Sequence, residues 1–407
     1  MFKLRSYQEK LANEISSNLI KYRMSYFVGQ VRIGKTITAL KSCENYGAKR
    51  VLFVTKKKAI SSIQEDYDNF KFDFHLDIIN YESIHKIGNN NYNVIIYDES
   101  HTCGSFPKPA KRVKIIKKRF SRIPCIFLSG TPAVESGSQW YHQFYVSDYS
   151  PFNQYTNFYK WTKDYVEVKE RNFGYAKVKD YSCANRELIH NKINHLLTIF
   201  TQKNAGFETI VNEKILYCDI KPTTTKLAKS LIRDKVIQGN TDVILADTPV
   251  KLQSKVHQIY NGTCIGESGN VLFLDNSKVK FIKEEFKDNQ IAIFYYYKGE
   301  LELLKEEFGN NLTTDLDEFN STTKNIAIQQ TGTEGLNLSK AKYLVYYNFG
   351  FSGKNYIQSI ARLLTHDRKT SDVYFIFEKN GISEKIYNSV KNKENYNIRL
   401  FKKDYKC

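Results

Sequence analysis

Residues 29–36 read Gly-Gln-Val-Arg-Ile-Gly-Lys-Thr, a complete G-x-x-x-x-G-K-[ST] pattern. An apolar run, Tyr26-Phe27-Val28, precedes it, and a stretch of helical character, Ile37–Cys43, follows. Strand, glycine-rich turn and helix in that order are what the pattern needs to cradle phosphate. Backbone N–H groups along Gly29, Gln30, Val31, Arg32, Ile33 and Gly34 can close around an anion, and the helix N-terminus adds positive potential. Lys35 is expected to neutralise the outer phosphates, and Thr36 to ligate Mg²⁺ through its hydroxyl. Ligands of open α/β sheets bind at the carboxyl ends of parallel strands, so this loop ties the surrounding chain to that architecture.

A second apolar run, Val94-Ile95-Ile96-Tyr97, leads straight into Asp98-Glu99. Two acids at the carboxyl end of a strand, downstream of a phosphate loop, point to nucleoside triphosphate hydrolysis. Asp98 is expected to hold Mg²⁺ and Glu99 to orient or deprotonate the attacking water.

The rest of the chain repeats the alternation of strand and helix. Short apolar runs at Ser25–Val28, Arg50–Thr55, Leu76–Asn80, Val94–Tyr97 and Cys125–Leu128 are separated by amphipathic stretches, and so are Ile291–Tyr295, Asn325–Gln329, Tyr343–Tyr347 and Val373–Phe377. This predicts an α/β protein of two lobes with doubly wound, mostly parallel sheets. Helical period at Ala184–Phe200 and Thr223–Val236 predicts a helical insertion between them. The expected division is 1–136, 137–285 and 286–407. The length of 407 residues suits two cores better than one.

Lys and Arg number 61 against 43 Asp and Glu, a formal net charge of +18. Such an excess suits a polyanionic partner, most simply nucleic acid. The seven cysteines form no C-x-x-C and no zinc-spaced Cys/His cluster, which predicts reduced thiols. No run of 18 apolar residues and no apolar N-terminal segment occurs, so neither a membrane span nor a secretory signal is expected. The expected location is cytoplasmic.

With the phosphate loop and the acid pair in hand, the chain resembles superfamily 2 helicases, and within them the Swi/Snf-type DNA translocases, especially compact phage-like members. For such a member the cytoplasm would be the host cell's. Leu4-Arg5-Ser6-Tyr7-Gln8 is similar to the family's opening glutamine motif, implying that Gln8, with Arg5 beside it, reads the adenine of ATP. Val51–Thr55 followed by Lys56 and Lys57 resembles a segment that touches the nucleic-acid backbone, as does Ile79–Ser83 with Tyr81. Ser129-Gly130-Thr131-Pro132 resembles the motif that links hydrolysis to DNA, implying roles for Ser129 and Thr131. The basic run Lys108–Arg119 falls where the family has a basic helix, and Lys251–Gly262 resembles the Swi/Snf stretch leading into lobe two. The aromatic run from Trp140 to Tyr165 occupies the position of a helical protrusion, where core packing competes with base stacking.

In the last third, Gln330–Leu338 resembles the family's motif V, implying a nucleic-acid contact from Thr331 and a nucleotide contact from Gly335. Gln358–Arg368 resembles motif VI. The resemblance implies that Gln358 and Arg362 take part in catalysis and that Arg368 approaches the nucleotide. It departs at Thr365, where the family has a second arginine.

The implied fold is two RecA-like lobes, 1–136 and 286–407, flanking the insertion and linker at 137–285. The implied activity is that of a DNA-dependent ATPase, using ATP and Mg²⁺, that translocates on or remodels duplex or branched DNA in replication, recombination or repair, acting as a monomer. An RNA helicase, or an ATP-gated nucleic-acid binder with weak hydrolysis, are the alternatives.

Overall fold

The computed structural model describes residues 3–30, 32–88, 91–133, 136–173, 176–206, 210–239, 242–330, 338–360, 370–392 and 395–405. The chain divides into two compact units, Met1–Gly206 and Phe207–Cys407. Residues 137–206 therefore belong to the first unit and 207–285 to the second.

In the first unit six strands form one sheet: β1 (Met24–Gly29), β2 (Arg50–Thr55), β3 (His75–Asn80), β4 (Val94–Tyr97), β5 (Cys125–Ser129) and β6 (Leu197–Phe200). Their order is β3-β2-β4-β5-β1-β6, and every pairing is parallel. Val94, Ile95, Ile96, Ile126, Phe127 and Leu128 are fully buried, as strands covered on both faces require. The covering helices include α1 (Ser6–Tyr22), α2 (Lys35–Asn45), α3 (Ile60–Phe70) and α4 (Lys111–Phe120). Helix α4 buries Val113, Ile116 and Phe120, one stripe at helical spacing.

The segment after β5 completes the same core. Trp140, Tyr141, Phe144, Phe152, Phe158 and Trp161 are all buried there, on helices Gln139–Tyr145 and Phe158–Tyr165 and the turn between them. Trp161 lies 5.0 Å from the Tyr165 ring and 5.7 Å from Phe158. Packing, not base stacking, occupies these rings.

The helical period expected over Ala184–Phe200 extends only through helix Arg186–Ile193, which ends in a 3-10 turn, Asn194–Leu196. Leu197-Thr-Ile-Phe200 then pairs with β1 as the edge strand β6. Two of its four residues are β-branched and one is aromatic, a composition that suits a pleated edge better than a helix.

The second unit carries its own six-stranded sheet: β7 (Ile210–Cys218), β8 (Ile291–Tyr295), β9 (Leu312–Thr313), β10 (Asn325–Gln329), β11 (Tyr343–Tyr346) and β12 (Thr370–Glu378). The order is β9-β10-β8-β11-β12-β7, again parallel throughout. Ile291, Ala292, Ile293 and Phe294 are fully buried at its centre. Helix Lys298–Phe308 follows β8, and helix Pro249–Tyr260 also packs into this core. Among the described residues no helix is long and apolar enough to cross a membrane, and none of the described cysteines is disulfide-bonded.

Candidate active site

Because all six strands of the first sheet are parallel, their carboxyl ends share one edge. That edge gathers the glycine-bearing loop after β1, Thr55 at the end of β2, Asp98-Glu99 after β4 and Ser129-Gly130-Thr131 at the end of β5. Strand β5 lies between β1 and β4, so the Ser129–Thr131 turn sits between the phosphate loop and the acids.

Lys35 opens helix α2, with Gly34 at its N-cap in the left-handed region at φ +77°. The positive φ favours glycine there, and a Cβ at Gly34 would stand 2.1 Å from Gln8 Nε2 and push that side chain out of its place. Arg32, at φ 63°, also takes a conformation that side-chain-bearing residues rarely adopt. Lys35 Nζ donates to the Gln30 carbonyl at 3.0 Å. A Cβ on Gly130 would lie 3.9 Å from Lys35 Nζ and 3.3 Å from the Gly29 carbonyl, so the β5 turn closes directly on the lysine. Gln30 is anchored to the edge strand: its N–H donates to the Phe200 carbonyl, and its Oε1 accepts from Gln202 N at 2.6 Å.

The opening motif is seated on the same loop. Gln8, buried on the first turn of α1, accepts from Arg5 N through Oε1 at 2.8 Å and turns Nε2 toward the Ile33 carbonyl at 3.5 Å. Tyr7 donates to that carbonyl at 3.3 Å and stacks on Phe200, with ring centroids 5.0 Å apart.

The acids are buried and differently held. Thr55 Oγ1 donates to Asp98 Oδ2 at 2.8 Å, and Tyr81 donates its hydroxyl to the Asp98 carbonyl at 2.6 Å. Glu99 sits at φ 46° with Oε2 3.1 Å from His101 Nδ1. Burial, then the Glu99 charge, raises Asp98 above the usual carboxylate range, against the pull of Thr55 and Lys35. Burial also opposes the charge on Glu99, but His101 and Lys35 outweigh it and hold Glu99 low. The two carboxyls are thus pushed in opposite directions, Asp98 up and Glu99 down.

His101 was not among the residues the sequence singled out, although it stands two positions after Glu99. Its Nδ1 also lies 3.1 Å from Ser129 Oγ, which accepts from Thr131 N at 3.1 Å. His101 Nδ1 thus lies between Glu99 and Ser129 and brings the acid pair next to the β5 turn. A second buried link lies beneath it. The Tyr26 hydroxyl on β1 meets Ser100 Oγ at 2.7 Å and Gln143 Oε1 at 2.6 Å, and Gln143 Nε2 donates to the Pro132 carbonyl at 2.7 Å.

Thr55 and Tyr81, read from the sequence as backbone-contacting residues, are buried with their hydroxyls turned to Asp98. Lys56 is half-buried and its charge lowers Glu99, while Lys57 is exposed. On α4 the basic residues separate into two sets. Arg112 donates to the Thr102 carbonyl, Lys117 pairs with Asp148 at 2.7 Å, and Arg119 donates to the carbonyls of Ile84, His85 and Ile87. Lys111, Lys114 and Lys118 share one exposed face at i, i+3 and i+7.

Val31 in the phosphate loop, and Thr331, Gly335, Arg362 and Arg368, lie outside the described residues, and so does Thr365. Gln358 is on helix Gly353–Ile360, with its side chain outside the description. The root of the motif V segment is described: Gln330 is buried with Oε1 accepting from Gly350 N at 2.7 Å, and Leu338 is fully buried.

The hydroxyl on Asp98 gives a pH test. Thr55→Val removes a hydrogen bond that favours the charged carboxylate, so the Asp98 pKa rises further. Turnover that needs ionised Asp98 should then be lost at a higher pH as the solution is acidified. The kcat–pH profile checks this, and an unmoved acid limb would contradict it.

No family model matches the sequence, and neither does any curated protein. Among solved structures, the Pyrococcus furiosus Hef helicase domain is similar over 95% of this chain and 98% of its own, with a TM-score of 0.52 and 13% identity. A Sulfolobus solfataricus SWI2/SNF2 ATPase core in complex with dsDNA covers 99% of this chain and 92% of its own, at a TM-score of 0.43 and 14% identity. The assignment rests on the first of these: the chain has the fold of a helicase core, with two RecA-like units. The resemblance to superfamily 2 helicases holds at that level, and nothing in these structures supports the comparison with phage-like members.

Proposed function

We propose that the chain is an ATP-hydrolysing translocase of the superfamily 2, Swi/Snf kind that moves on or remodels duplex or branched DNA. The observation that carries this reading is the shared sheet edge that gathers Lys35, Asp98-Glu99 and Ser129–Thr131, with His101 between Glu99 and Ser129. Lys35 and the phosphate-loop amides bind and orient the triphosphate. Glu99, kept ionised beside His101, accepts a proton from the attacking water or orients it. Thr36 and Asp98 offer the hard oxygen donors that suit Mg²⁺, and an acid raised by burial and then by its acidic neighbour is the environment a divalent cation relieves. Bound with ATP, Mg²⁺ would neutralise phosphate charge. The His101–Ser129–Thr131 chain gives the site a physical route to the rest of the unit.

For the polynucleotide, the net charge of +18 and the exposed face of Lys111, Lys114 and Lys118 support backbone binding. DNA is favoured over RNA by the Swi/Snf-like segment Lys251–Gly262. The segment 137–285 is proposed to serve as insertion and linker. The parts played by Gln358, Arg362 and Arg368 rest on the sequence alone. ATP turnover measured with single-stranded, duplex, forked and four-way DNA, and with duplex RNA, separates the readings. Duplex or branched DNA should stimulate most, and equal or greater stimulation by RNA would sink the DNA assignment.

A further inference from the structure

Beside the phosphate loop lies a cleft of about 300 Å³, the lower end of the size range of ligand pockets. Its lining includes Gln8, Ile33 and Gly34 of the loop itself, and Asp66, Asn69 and Phe70 of α3. A nucleotide whose phosphates occupy residues 29–36 has only a short distance to carry its base into this cleft. Gln8 is already engaged there, with Oε1 on Arg5 N and Nε2 toward Ile33 O. Asp66 is not. It is half-buried and has neither a hydrogen bond nor an ion pair among the described residues. Burial, with Glu65 next to it, pushes its carboxyl up to about 6. A half-buried carboxylate without a partner, set in a cleft, is a hydrogen-bond acceptor awaiting a donor.

We propose that Asp66 is a base-selecting residue of the nucleotide site, accepting a hydrogen bond from the exocyclic 6-amino group of adenine, with Phe70 supplying an apolar surface on the same helix. The inference rests on reading residues 29–36 as a nucleotide site. Its chemistry is specific. A carboxylate can only accept, so it favours a base with an amino donor at that position and disfavours one with a carbonyl there. The engaged Gln8 amide helps shape the cleft, and the α3 carboxylate discriminates.

The test uses equilibrium binding of two triphosphates to the full chain: ATP, and purine riboside triphosphate, which lacks only the 6-amino group. The unmodified chain should bind ATP tighter by about tenfold or more, the scale of one hydrogen bond to a charged acceptor. Asp66→Ala should bind both triphosphates with the same affinity, and Asp66→Asn, which keeps an acceptor oxygen, should restore part of the preference. Asp66 is partly exposed and takes no part in the core, so Asp66→Ala should leave folding intact; circular dichroism checks this. If Asp66→Ala retains the full ATP preference, Asp66 does not select the base. If guanosine triphosphate binds tighter than both and loses affinity in Asp66→Ala, the carboxylate reads a different amino group and the adenine assignment falls. If the unmodified chain binds no triphosphate, the nucleotide-site reading falls with it.

Discussion

Glu99→Gln should abolish most ATP turnover, by about 10²–10⁴-fold, the usual worth of a positioned general base, while leaving ATP binding intact. The separation of the two effects follows from the geometry. Glutamine keeps the shape of the side chain and its place beside the His101 ring, which lies 3.1 Å from Glu99 Oε2. It cannot take a proton from water. Losing the charge also removes a group that raises the Asp98 carboxyl, so Asp98 should ionise more readily, not less. Lys35→Ala should behave differently and lose binding and turnover together, because its ammonium belongs to the phosphate loop. Equilibrium ATP binding and steady-state turnover on both variants check this. Turnover in Glu99→Gln equal to that of the unmodified chain would place the base elsewhere.

Lys278→Ala should cost about 3–5 kcal/mol of stability, as expected when one partner of a buried ion pair is removed. Lys278, on helix Ser277–Glu285, and Glu378, at the end of β12, have side chains only 3% and 0% exposed, with Nζ 3.6 Å from Oε2. Lys278 also donates to Asn261 Oδ1 at 2.7 Å and lies over the Tyr347 ring at 5.3 Å. Glu378 cannot move to water when the lysine is lost, because its Oε1 accepts the N–H groups of Ile382 and Ser383 at 2.7 and 2.8 Å, at the start of helix Ser383–Lys391. The truncation therefore strands a carboxylate in the core. A double variant, Lys278→Met with Glu378→Gln, keeps the helix-capping oxygen, removes both charges and should recover most of the loss. Urea unfolding of the three proteins tests it. A Lys278→Ala chain as stable as the unmodified one would mean the pair is solvated or dispensable.

Much of this was legible from the amino acids. Runs such as Arg50–Thr55, Val94–Tyr97, Ile291–Tyr295 and Asn325–Gln329 coincide with strands because parallel strands buried on both faces must be nearly continuous in apolar residues. The phosphate loop and the acids sit at one sheet edge because parallel strands end together. The edge strands β6 and β7 were not visible. Leu197–Phe200 continues a helical pattern, and Ile210–Cys218 alternates with Asn212, Glu213 and Lys214, so neither has the apolar continuity of a central strand. Partnerships across the sheet were hidden too. Nothing in the spacing shows that Thr55 would donate to Asp98 across 43 positions, or that Gln143 would reach Tyr26 across 117. The basic run of α4 looked uniform, whereas in the fold Arg112, Lys117 and Arg119 serve internal partners and Lys111, Lys114 and Lys118 face outward. Asp66 carried no motif; only its place in the same cleft as Gln8 distinguishes it.

The most direct measurement is steady-state ATP turnover by the unmodified chain, with and without duplex DNA at low salt, using Lys35→Ala as the zero. Turnover that rises on adding DNA, and is absent in Lys35→Ala with or without it, is the expected result. Turnover indifferent to every nucleic acid, or retained in Lys35→Ala, would contradict an ATP-driven nucleic-acid motor built on this sheet edge.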